Sequence, residues 1–246
     1  MAMVIIRDDQ RVARMRRLAQ YTSLIGMGVL VVGLILAFVP NIENFFLYQL
    51  LALLFGWMLS QVGIFLAHRY LRDPRPDEVL DEALRKVARN GRLYHYVLPA
   101  PHVLLLPDGI IVLVPKYQRG QITVEGDKWR QGGLGLRRFF GQEALGNPTR
   151  EAEDMVGALV RFIKKEIPEL QEETIPIAPL IVFTSKEGVQ LNAEKSRIPA
   201  MHYMKVKGFL RKQQREPMPA HVYNLIRDAF DRKAAHLLEY EHGASE

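Results

Sequence analysis

The chain has no cysteine in its 246 residues and only 2 tryptophans. Without thiols it forms neither disulfides nor thiolate metal sites, which fits a reducing compartment. No motif recurs at a period of about 20 to 50 residues, so a solenoid or propeller is excluded. The glycine-rich piece from Gly132 to Gly146 (GGLGLRRFFGQEALG) lacks both a Lys-Ser/Thr ending and a dinucleotide glycine spacing, and it reads as a loop, not a phosphate cradle. A further absence is more informative: charge is missing from Thr22 to Val39 (TSLIGMGVLVVGLILAFV) and again from Phe45 to Ala67 (FFLYQLLALLFGWMLSQVGIFLA).

A helix needs roughly 20 apolar residues to cross a hydrocarbon core of about 30 Å, and each run is long enough. The link Pro40 to Asn44 has turn chemistry throughout, so residues 22–68 are expected to form an antiparallel hairpin of helices over about 22–39 and 45–67. A cleaved signal peptide would have a shorter apolar core and no second span directly behind it. A buried hairpin in a soluble protein would need a large surrounding core. Gly56, Ser60 and Gly63, with Gln49 and Gln61, mark a helix contact, either within the hairpin or with another membrane subunit.

Charge sets the expected orientation. Arg7, Arg11, Arg14, Arg16 and Arg17 precede the first helix, Arg69, Arg72 and Arg75 follow the second, and the connecting loop offers only Glu43. The positive-inside rule then puts both termini in the cytoplasm, with residues 1–21 as a basic cytoplasmic segment. The formal charge of +6 divides unevenly: residues 1–76 hold 8 Arg/Lys against 4 Asp/Glu, and the rest holds 25 against 23. Most of the basic excess is thus accounted for by membrane topology and anionic lipid, which argues against a strong nucleic-acid surface.

About 170 residues remain, enough for one ordinary domain. Asp77 to Asn90 reads as a helix, its acids leading and its bases trailing as the helix dipole favours. Short β-like runs follow at Leu93–Leu98, His102–Leu106 and Ile110–Val114, the last two joined by Pro107-Asp108-Gly109. A hairpin over Gln121–Glu125 and Lys128–Gln131 comes next, then a helix from Asn147-Pro148 to Glu166 and a buried strand Pro179–Thr184. Ala200 to Val206 is expected to be another strand, and 219–242 a C-terminal amphipathic helix. The reading is a membrane-anchored α/β protein.

The string HVLLLPDGIIVLVPKYQRGQI, followed by GDKW, NPTREAEDMVGALV and APLIVFT, resembles the nuclease-related domain, a branch of the PD-(D/E)XK endonuclease superfamily. The resemblance covers about residues 77–212 and implies a cytoplasmic αβββαβ restriction-endonuclease-like sandwich. Such enzymes hold a divalent metal with two or more carboxylates beside a lysine. Lys116 matches the lysine of the motif. The glutamate two residues earlier is replaced by Val114, with Pro115 between them; the acid at the head of the preceding strand aligns with Pro101, and a glutamine of the following helix with Glu151.

The resemblance therefore implies a degenerate, non-catalytic module without cofactor, a structural or interaction domain and an accessory subunit of a membrane complex, with lipid and membrane proteins as its partners. One alternative is a membrane-tethered, Mg²⁺-dependent nuclease in which Glu82, Asp108 or Glu125 replaces the lost acids beside Lys116. Another is a nucleic-acid-binding pseudo-nuclease using Lys116, Arg119, Arg137 and Arg138. His102 is the lone imidazole near the ancestral site and reads as structural. The expected location is the bacterial inner membrane, with the main domain and both termini cytoplasmic.

Overall fold

The structure is a computed structural model that describes residues 3–36, 38, 45–85, 90–133, 144–186, 189–213 and 215–243. They form two compact units, one drawn from residues 9–75 and the other from residues 3–8 and those after 75.

In the first unit, α1 (Asp9–Leu36) and α2 (Phe45–Tyr70) lie antiparallel. Gly63 faces Ser23, Gly26 faces Ser60, Gly56 faces Leu30 and Gly33 faces Ala52, a register in which one number falls as the other rises. The glycines let the backbones approach closely: a Cβ on Gly63 would fall 2.9 Å from the Ser23 amide, and one on Gly26 2.8 Å from that of Ser60. The contact expected at Gly56, Ser60 and Gly63 is therefore made inside the hairpin. Large apolar side chains point outward instead, among them Leu24, Met27, Phe46 and Trp57. Both helices are long and apolar enough to cross a membrane.

The first helix starts well before the apolar run, at Asp9 and not at about residue 22 as expected. Val4–Arg7 is a strand, β1, of the second unit, and α1 follows it at Asp9. Val4, Ile5 and Ile6 are β-branched and pair in parallel with Arg92, Leu93 and Tyr94.

The second unit is built on a six-stranded mixed sheet in the order β1, β2 (Arg92–His95), β3 (His102–Leu106), β4 (Gly109–Lys116), β7 (Ile177–Phe183), β9 (Ala200–His202). β2, β3 and β4 form an antiparallel meander, and β4, β7 and β9 run parallel. The β3–β4 turn requires Gly109, whose φ of 148° is unfavourable for other residues. β5 (Gly120–Glu125), β6 (Lys128–Gly132) and β8 (Val189–Asn192) make a smaller sheet; β8 is an element that the sequence did not announce.

Alternation along the strands feeds two cores. On one face Leu93, Leu104, Ile111 and Leu113 meet Leu80 and Leu84 of α3 (Pro76–Leu84) and Val206 of α5 (Tyr203–Lys212). On the other, Tyr94, Val103, Leu105 and Val112 meet Leu159 and Ile163 of α4 (Pro148–Glu166) and Ile226 and Phe230 of α6 (Ala220–Gly243). A third cluster, with Val114, Ile122, Ala152 and Phe183, joins the two sheets to α4.

The expected boundaries hold in part. Of the helix expected over 77–90, α3 covers Pro76–Leu84 with a turn at Arg85, and residues 86–89 lie outside the described residues. The strand expected over 200–206 stops at His202 and becomes α5, because a helical turn buries Val206 while keeping the lysines on either side outside the core. The C-terminal helix keeps close to its expected bounds, and Ala229 and Phe230 share the α4 core. Asp231 on α6 accepts from Tyr94 Oη at 2.8 Å and from Arg92 at 2.6 Å. Burial, reinforced by that carboxylate, raises the Tyr94 phenol above its ordinary value.

Candidate functional site

β4 delivers Lys116 to the carboxyl end of the parallel β4–β7 pair, where open α/β sheets place their ligands. Its side chain is buried on the α4 side of the sheet and pairs with Glu151, in the first turn of α4. Local chemistry fixes that turn. Asn147 caps it, accepting from the Arg150 amide at 3.2 Å, and Pro148 starts the helix without an amide to satisfy. Thr149, fully inside, accepts from the Trp129 indole at 2.8 Å, which ties the small sheet to the same helix start.

Beyond Lys116 the chain stays polar and buried. Thr184 donates its amide to the Lys116 carbonyl at 2.7 Å, continuing the ladder past the end of β7. Gln118 donates to the Ala144 carbonyl at 3.5 Å, and the His202 Nε2–H donates to the Ser185 carbonyl at 2.9 Å. Gln118 Oε1 and Ser185 Oγ are buried and have no hydrogen-bond partner among the described residues. On the solvent side of Glu151 a shallow concavity is lined by Pro99, Asn147, Arg150, Asp154 and Met155.

The candidate acids do not converge on Lys116. Glu82 is exposed on α3, which packs on the opposite face of the sheet. Asp108 sits in the turn at the other end of β4, and at about 3.3 Å per strand residue it lies more than about 20 Å away. Glu125 is exposed at the end of β5, 3.7 Å from Lys195. Arg119 is half-buried beside Gly120, its carbonyl accepting from Gln131, whereas Arg137 and Arg138 lie outside the described residues. Val114, two residues before Lys116, is fully buried among Ile122, Ile181 and Phe183. A magnesium ion takes several oxygen ligands. Around Lys116 the described contacts supply one carboxylate, already paired with the ammonium, so these residues do not fit that ion. Among the described residues no group of three or more His, Asp or Glu is placed to hold a metal.

The sequence missed a second polar cluster, on the α3 side. His95 and His102 are cross-strand partners, and their Nδ1 atoms stand 2.7 Å apart. His95 Nε2 is 2.9 Å from Asp81 Oδ1. Arg7 of β1 pairs with Asp81 and places Nε 2.9 Å from Asp77 Oδ2, misaligned for a hydrogen bond, while Tyr96 donates to Asp77 at 3.3 Å. Asp81, His95 and His102 thus form one buried chain of polar contacts. His102 is therefore not a lone imidazole. Its parity places it with Leu104, on the face away from Lys116. Only the 95–102 register could have revealed the pair, and that register depends on the tight 96–101 loop closed by the Tyr96 amide to the Pro101 carbonyl at 2.7 Å.

These features define a class, an α/β protein with two helices able to span a membrane. No protein-family model, curated protein or solved structure matches the chain.

Proposed function

We propose that this protein is a membrane-anchored, non-catalytic relative of the nuclease-related domain, working as a structural or interaction module and as an accessory subunit of a bacterial inner-membrane complex. The order α3, β2, β3, β4, α4, β7, with β4 parallel to β7, supports the αβββαβ reading. The observation that carries the non-catalytic reading is the buried pairing of Lys116 with Glu151 beside the apolar Val114. A lysine held by a helix carboxylate, next to an apolar strand position, is arranged for packing. The same pairing leaves Lys116 poorly placed for phosphate, so no observation favours the nucleic-acid reading.

Anchoring is supported by the outward apolar faces of α1 and α2, and the cytoplasmic orientation by the flanking arginines. The test is purification from the native membrane in mild detergent, recording particle mass, the ratio of ultraviolet absorbance from nucleic acid and protein, and co-eluting chains. A large particle with defined protein partners and no nucleic acid is expected. A small particle with metal-dependent cleavage that Lys116→Ala abolishes overturns the reading.

A further inference from the structure

We propose that the exposed face of α5 docks on anionic membrane lipid. This rests on the anchoring reading above and adds a second contact with the bilayer. α5 (YMKVKGFLRK) carries Lys205, Lys207, Arg211 and Lys212 and no acid. Val206 is buried, and Phe209 and Leu210 are packed against the core shared with α3, so the helix is fixed by its apolar side. Its other side turns Met204, Lys205, Gly208, Arg211 and Lys212 to solvent, and their spacing of three or four residues makes them one stripe. None of the four cations forms an ion pair with an acid of the described residues, the exposed Glu82 of α3 included.

Cations fixed on a rigid helix without counter-charges fit a polyanionic surface. Two features select lipid over nucleic acid. Met204 is 68% exposed at the start of the stripe, next to Lys205, and an apolar side chain beside a lysine suits the boundary between headgroups and acyl chains. A single-stranded nucleic acid would be met by aromatic stacking platforms, and the exposed positions of α5 carry no aromatic residue. The link between the two units is also short, since β1 ends at Arg7 and α1 begins at Asp9.

The absence of cysteine makes the test direct. Met204→Cys in the full chain gives a single thiol for an environment-sensitive fluorophore. The labelled protein is placed in nanodiscs of neutral phosphatidylcholine, or with a third of the lipid replaced by phosphatidylglycerol, each carrying a headgroup-level spin label. Quenching is expected in the anionic discs alone, and it should vanish at high salt, where the Debye length falls to about 3 Å. Lys205→Gln, Arg211→Gln and Lys212→Gln should each lower the docked-to-undocked ratio roughly five-fold. A probe at Gln190→Cys, on β8, should stay unquenched in both.

Equal quenching in neutral and anionic discs, or none in either, overturns the proposal, as does tighter capture of the stripe by a single-stranded oligonucleotide. A probe at Met27→Cys on α1 separates the two readings. Acyl-chain quenching at Met27 without headgroup quenching at Met204 rejects lipid docking and keeps the anchor. No quenching at Met27 rejects the anchor, and the docking proposal with it.

Discussion

The hairpin and the α/β unit use apolar residues in opposite ways. In α1 and α2 the contact surface is Gly26, Gly33, Ala52, Gly56 and Gly63, while Leu24, Met27 and Trp57 face out. In the α/β unit the interior is Tyr94, Phe183, Phe230 and branched aliphatics, and the exterior is charged. The difference follows from the surroundings each part suits. Where water is the medium, burying large side chains drives association. Where hydrocarbon is the medium, that drive is gone, and close backbone approach through small residues holds helices together.

The largest effect should come from reversing this in the core. Phe230 is fully buried and stacks edge-on with Tyr94, ring centroids 5.3 Å apart. Phe230→Ala should cost the α/β unit about 3–5 kcal/mol. Denaturant titration should show the loss in the near-ultraviolet signal of that unit, with the helicity of α1 and α2 in detergent unchanged. If the helical signal shifts with it, the two regions are one folding unit and the comparison fails.

Next is Arg7, the cation between Asp77, whose side chain is fully buried, and Asp81. Arg7→Met leaves both carboxylates without it and should cost about 3 kcal/mol. Adding Asp81→Asn should recover part of the loss, because the second substitution removes one stranded charge. Full additivity, measured as a double-mutant cycle on denaturant midpoints, would show that the contact contributes nothing.

A smaller effect is expected in the hairpin. Gly63→Leu must push Ser23 away and should loosen the helix pair by roughly 1–3 kcal/mol. With Gly33→Cys and Ala52→Cys introduced, whose facing positions come within disulfide range, it should slow oxidative cross-linking. Denaturation of the α/β unit should not change.

How much of this was legible depends on how far each signal reaches along the chain. The hairpin is written in two charge-free runs, and the β3–β4 turn in Pro107-Asp108-Gly109; both are local. The Asn147-Pro148 helix start is local as well, and its bounds hold. β1 was hidden because Val4–Arg7 is short and becomes a strand only by pairing with residues about 90 positions away. α5 was hidden because Ala200 to Val206 (AMHYMKV) is short and has neither a clear strand nor a clear helix period, while Val206 packs against the α3 side of the core. The pairing of Lys116 with Glu151 joins residues 35 positions apart on separate elements, and sequence alone could not say that they touch. The His95–His102 contact lay beyond reach for the same reason as β1.

The smallest effect bears most on function. Asn147 holds the first turn of α4 by accepting from Arg150, and Asn147→Ala should cost about 1 kcal/mol. Glu151 sits in that turn, so fraying it also moves the carboxylate that pairs with the Lys116 ammonium. If the cap exists to place Glu151, part of its value passes through that pair. Asn147→Ala should then cost less when Glu151→Gln is already present. A deficit of a few tenths of a kcal/mol in the combined loss would show this coupling. Strict additivity would mean that the cap serves the helix alone, and that the Lys116 end of the sheet is held by Thr149 and Trp129 without it.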